Sequence, residues 1–252
     1  GEDLKDGVAA TSKHFLGFAM GQGGFNLAGA SITPRELREV YAKPFEAAIR
    51  EAGLATVMNT YSSIDNEPVV CSKKMLTDLL RGEMGFEGVT VTDYASLSRL
   101  KDVFKVAKDY TQAGVMAFNA GMDQELPAPV GFGPEFCEAV RRGDVEEAYL
   151  NQVVGRILTL KFKLGLFDHP YPDEGAVANV YHQPEDEELS YQLASESVVL
   201  LKNEGYILPL KESCGTIAVI GPNADNLRNI FGSYSYAAFT EMCLEVAKNQ
   251  AA

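Results

Sequence analysis

The chain has 252 residues, 46% of them hydrophobic and 23% charged, with a formal net charge of −13. This is the composition of a globular protein with room for one large domain or two smaller ones, and not of a disordered chain. The acidic balance, with no basic stripe, excludes a binder of phosphate backbones and favours neutral small molecules as ligands.

In chain order, helical and strand patterns alternate. Thr33-Pro34-Arg35-Glu36 reads as a helix opening, with Thr33 as cap, Pro34 in the first turn and Glu36 completing a capping box. Leu37, Val40, Tyr41, Phe45, Ala48 and Ile49 then recur at helical spacing towards Gly53, and Pro44 is expected to kink this helix. Leu54 to Met58 reads as a buried strand, Asn59 to Glu67 as a polar loop, and Ser72 to about Gly82 as a second helix. Val89-Thr90-Val91 is a short β-branched strand introduced by a glycine turn and leading into Thr92-Asp93-Tyr94. A helix is expected over roughly Ala95 to Ala113, then a buried strand, Val115-Met116-Ala117-Phe118, introduced by Gly114 and emitting the loop Asn119 to Pro127. These elements predict an α/β fold, with four parallel strands, helices between them and one functional edge.

From Pro134 to about Leu164 the pattern is helical again, broken at Arg142-Gly143-Asp144, with Val153, Ile157, Leu160 and Leu164 on one face. Gly165 to Pro184 lacks periodicity and is rich in Pro, Gly, Asp and Tyr, so it reads as a linker or a long crossing loop. Beyond it, Glu185 to Glu196 reads as helix, Val198 to Lys202 as extended chain, and Thr216 to Ile220 as a strand turning at Gly221-Pro222. A second α/β domain begins here and is too short to be complete.

Asp93 is the candidate that this pattern isolates, because β/α barrels line their active sites with the C-terminal ends of strands. The alternative is that Asp93 only caps the next helix. Cys71, Cys137, Cys214 and Cys243 lie far apart, neither paired as in a zinc site nor dense as in a disulfide framework, and are expected to be small buried hydrophobes. His14, His169 and His182 show no ligand-pair spacing, so no metal site is expected. No loop has dinucleotide or P-loop glycine spacing, so no cofactor is expected either. No apolar run reaches the ~20 residues of a membrane span, and the start has no basic-then-apolar leader pattern.

The ordered motifs resemble glycoside hydrolase family 3 over nearly the whole chain. Lys13-His14-Phe15 and Val57-Met58-Asn59-Thr60-Tyr61 resemble two of its barrel strand ends, and Gly85-Phe86-Glu87-Gly88 through Thr92-Asp93-Tyr94 resembles its nucleophile segment. Gly121-Met122-Asp123-Gln124-Glu125-Leu126-Pro127 resembles the last barrel strand's loop, and Lys161 to Tyr171 the exit from the barrel. Ser197 to Asn203, Leu208-Pro209-Leu210 and Ile217 to Asp225 resemble the entry into the family's sandwich domain.

The resemblance implies the C-terminal half of a (β/α)8-type barrel at 1–164, a linker at 165–184 and the beginning of an α/β sandwich domain at 185–252. It implies retaining, exo-acting hydrolysis of a β-linked oligosaccharide or aryl glycoside, β-glucosidase first and β-xylosidase second. Asp93 would be the ionised nucleophile, Lys13 and His14 would bind sugar hydroxyls, and Met58 and Tyr61 would wall the ring. For His14 the alternative is a satisfied core histidine, and for Met58 it is simple core packing. The stretch from Phe15 to Thr33 contains neither Asp nor His, which disfavours the family branch that takes its acid/base from an Asp-Ser-His loop there. Glu125 and Glu241 are the nearest candidates for the acid/base, and neither matches the family's, so a catalytically impaired carbohydrate-binding fragment is the competing reading. If Lys13-His14-Phe15 ends roughly the fifth barrel strand, four strands are missing. The chain is then expected either to pair with a second polypeptide carrying them or to be part of a longer enzyme.

Overall fold

The computed structural model describes residues 4–250 apart from 6, 182 and 233, so His182 lies outside the described residues. The chain divides into two compact units, Gly1–Glu174 and Gly175–Ala252. The first is an α/β unit around a parallel sheet of β1 (Thr11–Phe15), β2 (Thr56–Asn59) and β5 (Val89–Val91), in that order. Thr11 pairs with Thr56, and Thr56, Val57 and Met58 pair with Val89, Thr90 and Val91. β3 (Ser63–Ile64) and β4 (Glu67–Pro68) form a small antiparallel hairpin inside the stretch expected to be loop.

Parallel strands need long crossovers, and the sequence supplies them as helices. After β1 the chain opens helix α1 (Pro34–Glu36), where the Thr33 hydroxyl accepts from the Glu36 N–H at 3.3 Å. It then passes through a π turn, Leu37–Tyr41, into α2 (Lys43–Arg50). Pro44 lies in the first turn of α2, where its missing N–H costs least, so the irregular turn precedes the proline instead of following it. A π-type helix, Lys74–Glu83, joins β4 to β5 and buries Leu76, Leu79 and Leu80. Phe15, from the end of β1, meets Phe45 of α2 edge to face at 5.0 Å, in a core that also holds Val57, Leu97 and Leu100.

The fourth strand falls elsewhere than expected. Val115 to Phe118 is part of a helix, α4 (Tyr110–Ala120), which follows α3 (Ser96–Asp102). Asp109 caps α4 by accepting from the Gln112 N–H at 2.7 Å, while Gln112 accepts from the Lys108 N–H at 2.7 Å. Gly114 admits a close backbone approach, since a Cβ there would stand 2.2 Å from the Gly131 carbonyl oxygen. The helix is apolar on two sides because Ala113 and Ala117 enter the main core and Phe118 enters a second one, with Phe132, Phe136 and Tyr149 around its ring. A short apolar run buried on both sides has no period that separates helix from strand. The segment that lies along β5 is instead 122–126: Gln124 bridges Val91, and the Thr92 N–H donates to the Gln124 carbonyl at 2.9 Å.

Helices α5 (Pro134–Arg141) and α6 (Glu147–Lys163) are separated at Arg142 to Asp144, as the sequence predicts. In the second unit, α7 (Pro184–Ser197) and α8 (Tyr236–Gln250) are helical. Residues 198–202 and 216–220 carry no regular structure there, and Leu201 and Ile220 are almost fully exposed. Extended segments become strands only when a neighbour takes their backbone hydrogen bonds, and none among the described residues does so. Cys137, Cys214 and Cys243 are exposed, contrary to expectation. Cys137 lies outside the Phe136–Ala139 face of α5, and in the second unit Ala238 is the one buried residue among those described. Only Cys71 is half-buried, and burial pushes its thiol up to about 12.

Asp123 joins four segments through one carboxylate. It accepts from Arg81 Nη2 at 2.7 Å, Arg156 Nη2 at 2.6 Å, Arg156 Nε at 3.2 Å and the Thr90 N–H at 3.0 Å, with its own side chain wholly buried. Burial lowers the Arg81 pKa, whereas Arg156, although its burial opposes charge, is raised by Asp123; both guanidinium groups stay protonated. Asp123→Ala leaves two largely buried cations unpaired, and is expected to cost about 3–5 kcal/mol in urea unfolding. Asp144→Ala, which removes an exposed pair with Arg142, is the control and is expected to cost less than about 1 kcal/mol. Equal losses in the two variants would contradict the anchoring role.

Candidate active site

The C-terminal ends of β1, β2 and β5 bring His14, Asn59 and Asp93 together. Asp93 is the second residue after β5, and its N–H donates to Asn59 Oδ1 at 3.1 Å. Asn59 is fully buried; its Nδ2 donates to the Thr60 carbonyl at 2.6 Å and to Ser96 Oγ at 3.3 Å. One carboxamide therefore ties the end of β2 to the exit of β5 and to the start of α3.

The Asp93 carboxylate is held by its own next residue. Oδ1 accepts from the Tyr94 N–H at 2.7 Å, while Oδ2 faces His14 Nε2 at 3.5 Å. No side chain caps α3, whose N-cap is Ala95 at φ +61°, although the Asp93 carbonyl accepts from the Ser96 N–H at 3.0 Å. The capping alternative for the Asp93 side chain is thereby removed. The oxygen beside His14 is the one that can attack an electrophile or accept from a hydroxyl group.

His14 reaches this place from β1, between cis peptides at Lys13–His14 and Phe15–Leu16. Its ring stacks at 4.9 Å on Phe18, at an interplanar angle of 31°. Burial lowers the His14 pKa, Asp93 opposes that shift and the charge of Lys13 adds to it. The 3.5 Å approach to Asp93 would suggest an ion pair, but desolvation prevails, so the imidazole is neutral at pH 7 and can donate or accept. Lys13 is exposed, and its charge acts on the same ring.

Met58 is half-buried on β2 beside Val91, its register partner. Tyr61 lies just beyond β2; its hydroxyl donates to the Tyr94 carbonyl at 2.7 Å, and Arg99 Cζ lies 4.5 Å from its ring centroid. Glu125 is engaged elsewhere: its carboxylate accepts from the N–H groups of Gly131 (2.8 Å) and Phe132 (2.8 Å), shaping that loop. Glu241, in the second unit, pairs with Arg228 at 2.5 Å. Asn59 and Arg99 are the residues that the sequence reading missed. The sequence places Asn59 at the start of a polar loop, although a carboxamide ending an apolar run is the signal of a buried polar tie. Among the described residues, no cluster of His, Cys, Asp and Glu could hold a metal ion, and no helix is long and apolar enough to cross a membrane.

The electrostatics give a direct test. By NMR, the His14 imidazole is expected to titrate below its ordinary value of 6.5. Asp93→Asn should lower it further, because Asp93 is what raises it, and Lys13→Met should raise it. The sign for stability follows: below pH 6.5 the unfolded chain takes up this proton first, so His14 destabilises the fold as pH falls until its folded form also protonates. An upward shift in Asp93→Asn would contradict the assigned contact.

Residues 3–160 match the family model for the glycosyl hydrolase family 3 N-terminal domain, and residues 198–251 match that for its C-terminal domain. A β-xylosidase of Formosa agariphila is 35% identical over 236 residues, covering 90% of this chain and 32% of that protein. A β-glucosidase structure from Erythrobacter marinus aligns with a TM-score of 0.77 at 38% identity, covering 81% of this chain and 27% of that one. A β-glucosidase from Listeria innocua, solved in complex with glucose, aligns with a TM-score of 0.75 at 30% identity, covering 81% and 28%. The chain thus spans about a third or less of the length of these relatives. The N-terminal family model alone covers more than half of the chain, which therefore belongs to glycosyl hydrolase family 3.

Proposed function

We propose that Asp93 is the nucleophile of a retaining, exo-acting β-glycoside hydrolase that releases the non-reducing terminal sugar, with glucose as the first choice and xylose as the second. The observation that carries this reading is a carboxylate fixed at a parallel-sheet edge, with one oxygen turned towards a neutral histidine, in a chain of this family. Asp93 attacks the anomeric carbon as the aglycone leaves, and water then releases the sugar from the glycosyl-enzyme. Lys13 and His14 bind sugar hydroxyls, and Met58 and Tyr61 wall the ring. The acid/base must stand ~5–5.5 Å from the nucleophile. Glu125 and Glu241 are each committed to other partners, so this role falls to a group outside residues 1–252.

The same reading makes residues 1–164 the C-terminal half of a (β/α)8 barrel, 165–184 a linker and 185–252 the start of an α/β sandwich. Two features support an incomplete barrel. Among the described residues β1 pairs only with β2, and α6 leaves Val154, Leu158 and Phe162 exposed at one-turn spacing along one face. The remaining strands come from polypeptide beyond these residues, either on the same chain or on a second one.

Incubation with a 2-deoxy-2-fluoro β-glucoside bearing an activated leaving group is expected to add one glycosyl mass to Asp93. Release of nitrophenol from aryl β-glucoside should exceed that from aryl β-xyloside and fall to background in Asp93→Ala. A label on another residue rejects the nucleophile, and activity no higher than in Asp93→Ala favours the impaired carbohydrate-binding alternative. A cooperatively melting, monodisperse monomer of 27.3 kDa would reject the need for further strands.

A further inference from the structure

Two residues, one ending β2 and one just beyond it, grip the backbone around Asp93, and they do so differently. Asn59, fully buried, takes the Asp93 N–H, whereas Tyr61, half-buried, holds the Tyr94 carbonyl through its phenol. The phenol is a long lever that grips only while its ring stays in one rotamer. Arg99 stacks on that ring from α3, one turn beyond Ala95, whose carbonyl accepts the Arg99 N–H at 3.3 Å. The Arg99 Nε is buried and has no hydrogen-bond partner. Its guanidinium is therefore placed by the tyrosine face and not by a hydrogen bond at Nε.

We propose that Arg99 is a positioning residue for glycosyl transfer, acting through Tyr61 and the Tyr94 carbonyl to hold the Asp93 segment in its attacking orientation. This rests on the reading of Asp93 as nucleophile. The bland alternative is that Arg99 merely covers Tyr61 as a surface contact. The two differ in which kinetic quantity responds: positioning acts on the bond-forming step, whereas a cover acts on stability or on binding of the sugar.

The test is the rate of Asp93 labelling by the fluoro-glucoside, resolved into the saturating rate and the half-saturating concentration. In Arg99→Met the saturating rate is expected to fall about tenfold with little change in the half-saturating concentration, while Arg99→Lys, which keeps a cation over the ring, stays within about threefold of wild type. In Tyr61→Phe, which lacks the hydroxyl grip, adding Arg99→Met should cost little more, because both residues act along one route. A wild-type saturating rate in Arg99→Met overturns the proposal, as does a loss confined to the half-saturating concentration or to the melting temperature. No label on Asp93 in the wild-type protein rejects the nucleophile reading itself, and this role with it.

Discussion

A buried carboxylate held between two guanidinium groups ties the last strand of the sheet to the π-type helix and to α6. Asp123 contacts Arg81 of the π-type helix, Arg156 of α6 and the Thr90 N–H of β5, and it lies on the segment that pairs with β5. Such a triad is costly to assemble from water, so it stabilises less than its Coulomb energy suggests, but it is strict about geometry. It fixes where β5 ends, and Asp93 is the second residue after that end.

Asp93 and Asp123 are the same residue type in one sheet, with opposite assignments set by the donors around them. Asp123 receives four donors and has no exposure left for a ligand. Asp93 receives one backbone N–H and keeps an oxygen towards His14. The site is therefore organised from below by satisfied polar groups, Asp123 and then Asn59, and becomes available for chemistry only at its rim. This is the supporting-shell arrangement that a positioned nucleophile needs.

Much of this was legible from local chemistry. The Thr33 cap, the break between α5 and α6 and the β-branched strand before Asp93 each follow from residues whose preferences agree with their surroundings. Val115 to Phe118 reads as a strand because its apolarity reflects burial on two sides, whereas the Asp109-to-Gln112 cap marks the start of a helix. The strand expected at 216–220 does not form for a different reason: a strand depends on a partner that no local pattern contains. At the site, strand order brought out His14 and Asp93, but the Asn59 tie and the Arg99 stack join residues 34 and 38 positions from their partners. No period or spacing along the chain encodes such a pairing.

The central claim is that Asp93 attacks the anomeric carbon. It is tested most directly by azide rescue of Asp93→Ala with a dinitrophenyl β-glucoside, whose leaving group needs little protonation. With the carboxylate removed, azide should enter the vacated space, attack from the opposite face to the leaving group and restore turnover, giving the α-glucosyl azide. Turnover that azide does not restore, or a β-glucosyl azide product, would contradict the assignment.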